Sequence, residues 1–434
     1  MKITFLGSCR EIGRSGILVE SENGTQCILD YGIGFNSDER LPYKTNINNL
    51  KAIALTHGHI DHSGALPLLY KTAKIPFFTN PVSLATTEVL IKDMIRISNY
   101  PYPFGFRELD LLKQNAHFLK NGTRQRIDNN FYITFIDAGH IPGSVSILVE
   151  VDNKTILYSG DINTLSTNLI NPANSQDVPK LDTLIIESTY ALREHPPRQQ
   201  LEKDFIERII DVTNNNGKVL VPAFGVARSQ EILLILEKYD YKGKIFIDGL
   251  ARKMSRIYLD YPDFIRNVKS FKKAVKKAHF VTRPKTRSIV KKSVGVIIAP
   301  SGMLKGGAAI EYIETILHDP NSAVYLVGYQ VEGTPGRQLI DNGIFEFKDS
   351  RRKRHITNKL SIKARCDYDY FDFSSHSDNV QIHNYIANLN FQDHSNNNIF
   401  CIHGDNKSTT KLASELTKKG YNSIAPEIGE IYQI

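Results

Sequence analysis

The sequence predicts an α/β protein in two kinds of region: a β-rich first part and a mixed strand–helix part that follows it. Three observations carry this. Short apolar runs bounded by turn residues dominate the first part. From about residue 191 the apolar spacing alternates between helical and strand-like. Residues of metal-ligand type recur at the ends of the strand-like runs.

In order along the chain, KITFLGS, TQCILDYG, LKAIALT, FYITFIDA, SILVEVD, KTILYSGD and DTLIIEST read as strands. QQLEKDFIERIIDVTNNN then reads as a helix, KVLVPAF as a strand, ARSQEILLILEKY as a helix and KIFIDG as a strand. VGVIIAP and AVYLVGY continue the alternation, which predicts a separate, partly parallel sheet. CDYDYFDFSSHSD and NNIFCIHGD return as strands that end in reactive residues. Boundaries are placed near 190 and 373. The 434 residues favour two compact units, and 41% hydrophobic with 23% charged residues supports sizeable cores.

The chain opens on a strand, without the basic, apolar and cleavage regions of a signal peptide. No apolar run approaches the roughly 18 residues that span a bilayer. Cys9, Cys27, Cys366 and Cys401 lie far apart without a CxxC, as expected of buried thiols in a reducing compartment. A soluble, cytoplasmic protein with no membrane partner is the expectation.

The net charge of +8 is uneven. Between Asp263 and Glu311 there is no acidic residue but there are twelve basic ones, and KDSRRKRHITNKLSIKAR follows at 348–365. Lys269, Lys272, Lys273, Lys276 and Lys277 recur at helical spacing, with Phe271, Val275 and Ala278 on another face. Such a stripe is either a solvated face or a surface for polyanions, and the density of charge favours nucleic acid.

LTHGHIDHSGALP, residues 55–67, concentrates the chemistry. His57 and His59 are two apart at a strand end and leave on one face. Asp61 and His62 follow where the loop turns toward a helix expected near Ser63. A tetrahedral ion takes about four ligands, and four such groups in six residues are strained around one ion, so two adjacent ions are the economical reading. Other ligand types end strands elsewhere: His140 in DAGHIPGS, Asp161 in YSGDIN and His403 in IHGDN.

Together, ILDYG, THGHIDHSGA, AGHIPGS, YSGD, LIIESTY, FSSHSD and IHGD resemble the motifs of the metallo-β-lactamase superfamily, in its β-CASP branch of nucleases. VPAFGVARSQE, GLARKM, APSGMLKGG and GYQVEGTPGRQL are similar to that branch too. Within it, the chain looks most like prokaryotic, archaeal-type relatives of the nuclease subunit of the cleavage and polyadenylation specificity factor, without the N-terminal KH modules some of them carry. The resemblance implies an αββα metallo-β-lactamase sandwich, residues 1–190 and 374–434, with an α/β β-CASP domain inserted at 191–373. It implies that His57, His59 and His140 hold one zinc and Asp61, His62 and His403 the other, with Asp161 bridging. Asp30 would shape the ligand loop.

The resemblance further implies catalytic roles for Asp61 and for the pair His376 and Glu187, the histidine serving as acid to the leaving oxygen. The reaction would be hydrolysis of RNA by a two-metal-activated hydroxide, leaving a 5′-phosphate and a 3′-hydroxyl. Manganese would also suit the oxygen ligands. A histidine at the position of His403 goes with RNA in this branch, and single-stranded RNA is the expected partner. Lys272, Lys273, Lys276, Lys277 and Arg337 are the expected RNA contacts. After ESTY, Ala191 and Leu192 depart from the family pattern, and His195 reads either as a phosphate contact or as an exposed loop histidine. The resemblance is compatible with a homodimer. Internal cutting and 5′-to-3′ digestion are equally open. A small-molecule metallo-hydrolase of the same superfamily, a DNA nuclease and a non-catalytic RNA-binding scaffold are the competing readings.

Overall fold

A computed structural model describes residues 1–35, 39–71, 74–348, 359–392 and 397–434. The chain forms two compact units, residues 1–194 with 375–434, and residues 195–374.

The first unit begins with β1 (Lys2–Phe5), β2 (Ile17–Glu20), β3 (Gln26–Leu29) and β4 (Leu50–Ala54). The turn α1 (Ile60–Ser63) follows, then β5 (Phe77–Thr79), α2 (Pro81–Ile97), α3 (Phe106–Gln114) and β6 (Ala116–Phe118). Five more strands come next: β7 (Arg124–Asp128), β8 (Phe131–Asp137), β9 (Val145–Val151), β10 (Lys154–Tyr158) and β11 (Thr183–Glu187).

The second unit holds α4 (Arg198–Asn214), β12 (Lys218–Pro222), α5 (Arg228–Lys238), β13 (Ile245–Ile247), α6 (Leu250–Asp260), α7 (Val268–Lys277) and β14 (His279–Phe280). After α8 (Pro284–Val290) come β15 (Gly295–Ala299), α9 (Ile310–Leu317), β16 (Ala323–Leu326) and α10 (Pro335–Asn342). The hairpin β17 (Ile344–Lys348) and β18 (Lys359–Lys363) precedes β19 (Asp367–Tyr370). The chain then returns to the first unit with α11 (Asn379–Ala387), β20 (Asn398–Ile402), α12 (Asn406–Lys418), β21 (Asn422–Ile424) and β22 (Ile431–Gln433).

The first unit is a four-layer α/β/β/α sandwich, because each sheet buries both faces. Its sheets run β22-β1-β2-β3-β4-β5-β6 and β21-β20-β11-β10-β9-β8-β7. Alternate residues of the two sheets, including Ile3, Phe5, Val19, Leu29, Phe131, Ile133, Phe135 and Val149, meet in a central core. The outer face of the first sheet packs on Ile91 and Met94 of α2 and on Leu109 and Leu112 of α3. The outer face of the second packs on Ile382 and Ile386 of α11 and on Leu412 and Leu416 of α12. The α/β sandwich expected from the motifs is therefore the fold observed.

The second unit is a parallel sheet in the order β14-β13-β15-β12-β16-β19. Residues from α4 and α5 (Phe205, Ile209, Ile232, Leu236) cover one face. Residues from α9 and α10 (Tyr312, Ile313, Leu339) cover the other. All strands point one way, so the loops after β12, β13, β15 and β16 gather at their carboxyl ends, where open α/β sheets place ligands.

Two expectations need correction. The helix after HGHIDH starts at Ile60, so Asp61 and His62 lie inside the turn. The first part is less purely β than it reads, for it contains α2, whose buried face includes Ser83, Thr86 and Thr87. Of the second basic block, residues 349–358 lie outside the described residues.

Candidate metal centre

β4 ends at Ala54, and the chain then delivers His57, His59, Asp61 and His62 in one loop and helical turn. This tight path needs glycines where backbones meet. A Cβ on Gly32 would stand 1.6 Å from the Asp61 carbonyl oxygen, and one on Gly58 would meet Thr86 of α2 at 2.7 Å. His140 follows β8, Asp161 follows β10, Glu187 ends β11 and His403 follows β20. These strands belong to one sheet, with β20, β11 and β10 adjacent and β8 one strand beyond β9, which is why residues far apart in sequence converge.

Among the described residues three groups of ligand-type atoms result, each within 4.8 Å: His57, His59, His140 and Asp161; Asp61, His62 and His403; and Asp161 with Glu187 and His376, the first two of which carry the histidine clusters. In the first, His59 Nδ1 lies 3.0 Å from His57 Nε2 and 3.1 Å from His140 Nε2. In the second, His403 Nε2 lies 3.2 Å from His62 Nε2 and 3.4 Å from Asp61 Oδ2. Asp161 stands between the groups. Its Oδ2 is 3.4 Å from His57 Nε2 and 3.5 Å from His140 Nε2, while its Oδ1 is 3.2 Å from His62 Nε2 and 3.3 Å from His403 Nδ1.

The donor set fits divalent cations. Imidazole nitrogens separated by 3.0 to 3.2 Å have the spacing of ligands around one small ion. The Asp161 Oδ1 atom, fully buried, completes no hydrogen bond of good geometry. A buried carboxylate oxygen without a hydrogen-bond donor is costly unless a cation satisfies it.

The remaining ring nitrogens are held from outside. Asp30, fully buried, has Oδ2 2.7 Å from His62 Nδ1 and also accepts from the Thr56 amide and hydroxyl and from the Tyr158 hydroxyl. His140 Nδ1 is 2.8 Å from the Ser375 carbonyl, which fixes Nε2 as the nitrogen turned to the cluster. Thr189 Oγ1 lies 3.1 Å from His403 Nδ1. Such outer partners set ring orientation at metal sites.

Charge follows the same division. Burial pushes His57 and His140 well below the usual histidine range, with His62 and His376 adding to the effect respectively, and His59 falls to about 4 mainly through burial. Neutral imidazoles are the ligating form. Burial also opposes charge at His62 and His403, but Asp161, with Asp30 or Asp61, draws both upward. Asp61 is carried down to about 2, its burial outweighed by the His403 hydrogen bond and the nearby His62.

Beside the cluster, His376 Nδ1 lies 3.0 Å from both oxygens of Glu187. Glu187 is buried and also accepts from the Ile162 amide at 2.7 Å. The His376 ring packs 4.4 Å from that of His140 and stacks on Tyr190 at 5.9 Å.

Thus the first unit brings together His57, His59, Asp61, His62, His140, Asp161, Glu187, His376 and His403. In the second unit Lys272, Lys273, Lys276 and Lys277 lie on α7, exposed, with Phe271 and Ala274 buried beneath. Lys273 and Lys277 are bound by Glu237 of α5. Arg337 sits on α10, bonded to Asp341. His195 is not an exposed loop histidine, since its Nδ1 is 2.9 Å from Asp372 and its side chain is 9% exposed. Sequence reasoning missed Thr56, Tyr158, Thr189 and the Ser375 carbonyl. Nothing in their local sequence marks them, because each acts through a contact made by the fold.

Comparison with known proteins agrees with this architecture. Residues 27–206 match the beta-lactamase superfamily domain, residues 229–339 the Beta-Casp domain, and residues 361–426 the Zn-dependent metallo-hydrolase RNA specificity domain. The chain is 33% identical to Probable RNase MJ4 of Methanocaldococcus jannaschii over 452 residues, covering 100% of both. It is 32% identical to RNase aCSPSF2 of Saccharolobus solfataricus, over 99% of this chain and 84% of that one. With Transcription termination factor FttA of Pyrococcus abyssi it shares 32% identity over 98% of this chain and 70% of the relative. Among solved structures, a protein of unknown function from Enterococcus faecalis shares the fold at a TM-score of 0.62 and 12% identity, covering 99% of each chain. Sandwich, inserted parallel sheet and strand-end histidines thus agree with these matches, and the chain belongs to the β-CASP branch of the metallo-β-lactamase superfamily.

Proposed function

We propose that the protein is a metal-dependent ribonuclease that hydrolyses RNA phosphodiester bonds at a pair of zinc ions. The carrying observation is Asp161, which turns one oxygen to each of two histidine groups. His57, His59 and His140 would hold one ion, and Asp61, His62 and His403 the other. Relatives named as RNases, and the match to an RNA specificity domain, support RNA as the substrate.

When bound, two divalent cations supply Lewis-acid charge neutralisation and activation of water for in-line attack. The chain's own groups do the rest. Asp30 and the Ser375 carbonyl hold His62 and His140 in the tautomers that leave Nε2 for ligation. Asp61 and Asp161 stay ionised at neutral pH, offsetting the positive charge of the cations. His376, its Nδ1 engaged by Glu187, presents Nε2 as the atom from which a proton passes to the departing ribose oxygen. An alkoxide is a poor leaving group in water, so this proton decides the rate of bond breaking.

The test is digestion of one RNA, labelled in turn at its 5′ and 3′ ends and then circularised, with metal content measured alongside. Two metals per chain with nicking of the circle assigns an endonuclease. Release of mononucleotides from linear RNA only, faster with a 5′-monophosphate, assigns 5′-to-3′ digestion. Absence of cleavage with two metals bound would overturn the ribonuclease reading in favour of a small-molecule hydrolase.

A further inference from the structure

The lysines of α7 do not lie where the sheet of the second unit gathers its loops. A pocket of about 330 Å³ is lined by Tyr241, Lys242, Gly243, Lys244, Ile245, Lys277 and His279. Ile245 and His279 are the first residues of β13 and β14. The pocket therefore opens at the amino ends of the parallel strands. The loops after β12 and β15, which contain VPAFGVARSQE and APSGMLKGG, leave from the carboxyl ends. The four steps along a five-residue strand, at about 3.3 Å each, separate these edges by roughly 13 Å.

Two features of the pocket point to one kind of ligand. The charge in and beside it is unbalanced: the ion pairs of its Lys242 and Lys277, and of Lys273 next to it on α7, end on just two carboxylates, Glu237 and Asp240. Lys244, Lys272 and Lys276 make no ion pair among the described residues. Its wall offers a flat ring, since the exposed His279 imidazole is backed by Phe246 with centroids 5.6 Å apart. An acidic protein surface would use the lysines alone. A strand of nucleotides uses both: phosphates on the ammonium groups and a base on the ring.

We infer that this pocket of the second unit is a docking site for single-stranded RNA, separate from the ligand cluster of the first unit and holding one nucleotide of a bound strand. The inference rests on RNA being the substrate. Such a site makes affinity depend on strand length while leaving the chemistry unchanged.

The experiment uses the full chain with Lys242→Ala, Lys244→Ala and His279→Ala combined, against single strands of roughly 6 and roughly 40 nucleotides. The expected result is a KM raised about tenfold for the long strand, with kcat unchanged, and no change in kcat/KM for the short one. The log–log salt dependence of long-strand binding should flatten by about 0.7 for each phosphate that a removed ammonium group had neutralised. In parallel, the unaltered chain is crosslinked to thiouridine-substituted RNA, and adducts are expected on residues 241–245 and 277–279. Equal KM values for variant and parent on the long strand, or adducts only elsewhere, would overturn the pocket while leaving the nuclease intact. If the parent cleaves neither RNA, the nuclease reading fails, and the crosslinks still decide whether the pocket binds RNA.

Discussion

Asp30 shows how much of a metal site lies outside its ligands. It adopts φ +57, in the left-handed region where most residues are strained, and commits both oxygens to fixing the HGHIDH loop. Asp30→Asn would replace an acceptor at His62 Nδ1 by a group that can donate, and so unsettle the tautomer. The expected outcome is a 10- to 100-fold loss of affinity at the Asp61–His62–His403 group, as is usual for such partners. Zinc titration against a competing chelator reads this directly, and an unchanged affinity would remove Asp30 from the site. His376 makes the contrasting case. His376→Ala should leave metal content near two and slow cleavage by roughly 10²–10⁴-fold. Glu187→Gln should do the same in smaller measure, and the double variant should be no slower than His376→Ala, because the carboxylate acts through the ring. Simple additivity of the two losses would show that Glu187 has a separate role. The HGHIDH loop was legible in sequence because its six residues contain four of metal-ligand type. Tyr158 and Ser375 were not, because their bonds to Asp30 and His140 join residues 128 and 235 positions apart.

Single elements explain which parts of the fold the sequence declared. Buried strands such as LIIE announce themselves as apolar runs. Helix α2 does not, because Thr86, Thr87 and Ser83 are buried on its inner face and blur the helical period. The turn α1 is equally hidden, since its four residues include Asp61 and His62, both of metal-ligand type, rather than a hydrophobic stripe. What holds that turn is the approach of Gly32 to the Asp61 carbonyl. Gly32→Ala puts a carbon where the backbone already stands, so the turn must move, at a cost of about 1–3 kcal/mol or more. Both thermal stability and metal content should fall, and retention of two metals would show that the loop can yield. On the second unit, Glu237 ties α5 to α7 through Lys273 and Lys277. Burial works against its charge, but the two lysine hydrogen bonds win and hold its carboxyl below the ordinary 4.5. The folded value is depressed, so this stabilisation is present above about pH 4.5 and fades as pH falls through the folded value. Glu237→Gln should then lower the urea midpoint at pH 7, by up to about 1 kcal/mol in stability, with the gap to the parent closing in acid. A gap independent of pH would assign the loss to packing instead.

At the scale of the whole molecule, the two units divide the labour in a way the chain order conceals. Every ligand-type residue of the metal centre belongs to the first unit, which is itself discontinuous in sequence. The second unit has its own cores on both faces of its sheet, and its two ends meet where His195 bonds Asp372. In the first unit the two chain ends that flank the insertion are equally close, for the Asn379 amide donates to the Arg193 carbonyl at 3.0 Å. A short bridge of roughly four Gly and Ser residues in place of 195–374 can therefore close the first unit without stretching it, as short loops do between adjacent ends. The shortened chain should fold, bind two metals and hydrolyse a small activated phosphodiester such as bis-(p-nitrophenyl) phosphate. It should lose most of its affinity for long RNA, because the exposed lysines of α7 and the pocket beside them are gone. Metal analysis and the two hydrolysis assays separate the alternatives. A shortened chain that binds no metal would mean that the inserted unit is needed to build the centre. One that binds metals and still prefers long RNA would place polyanion recognition in the first unit, against the uneven distribution of basic residues along the chain.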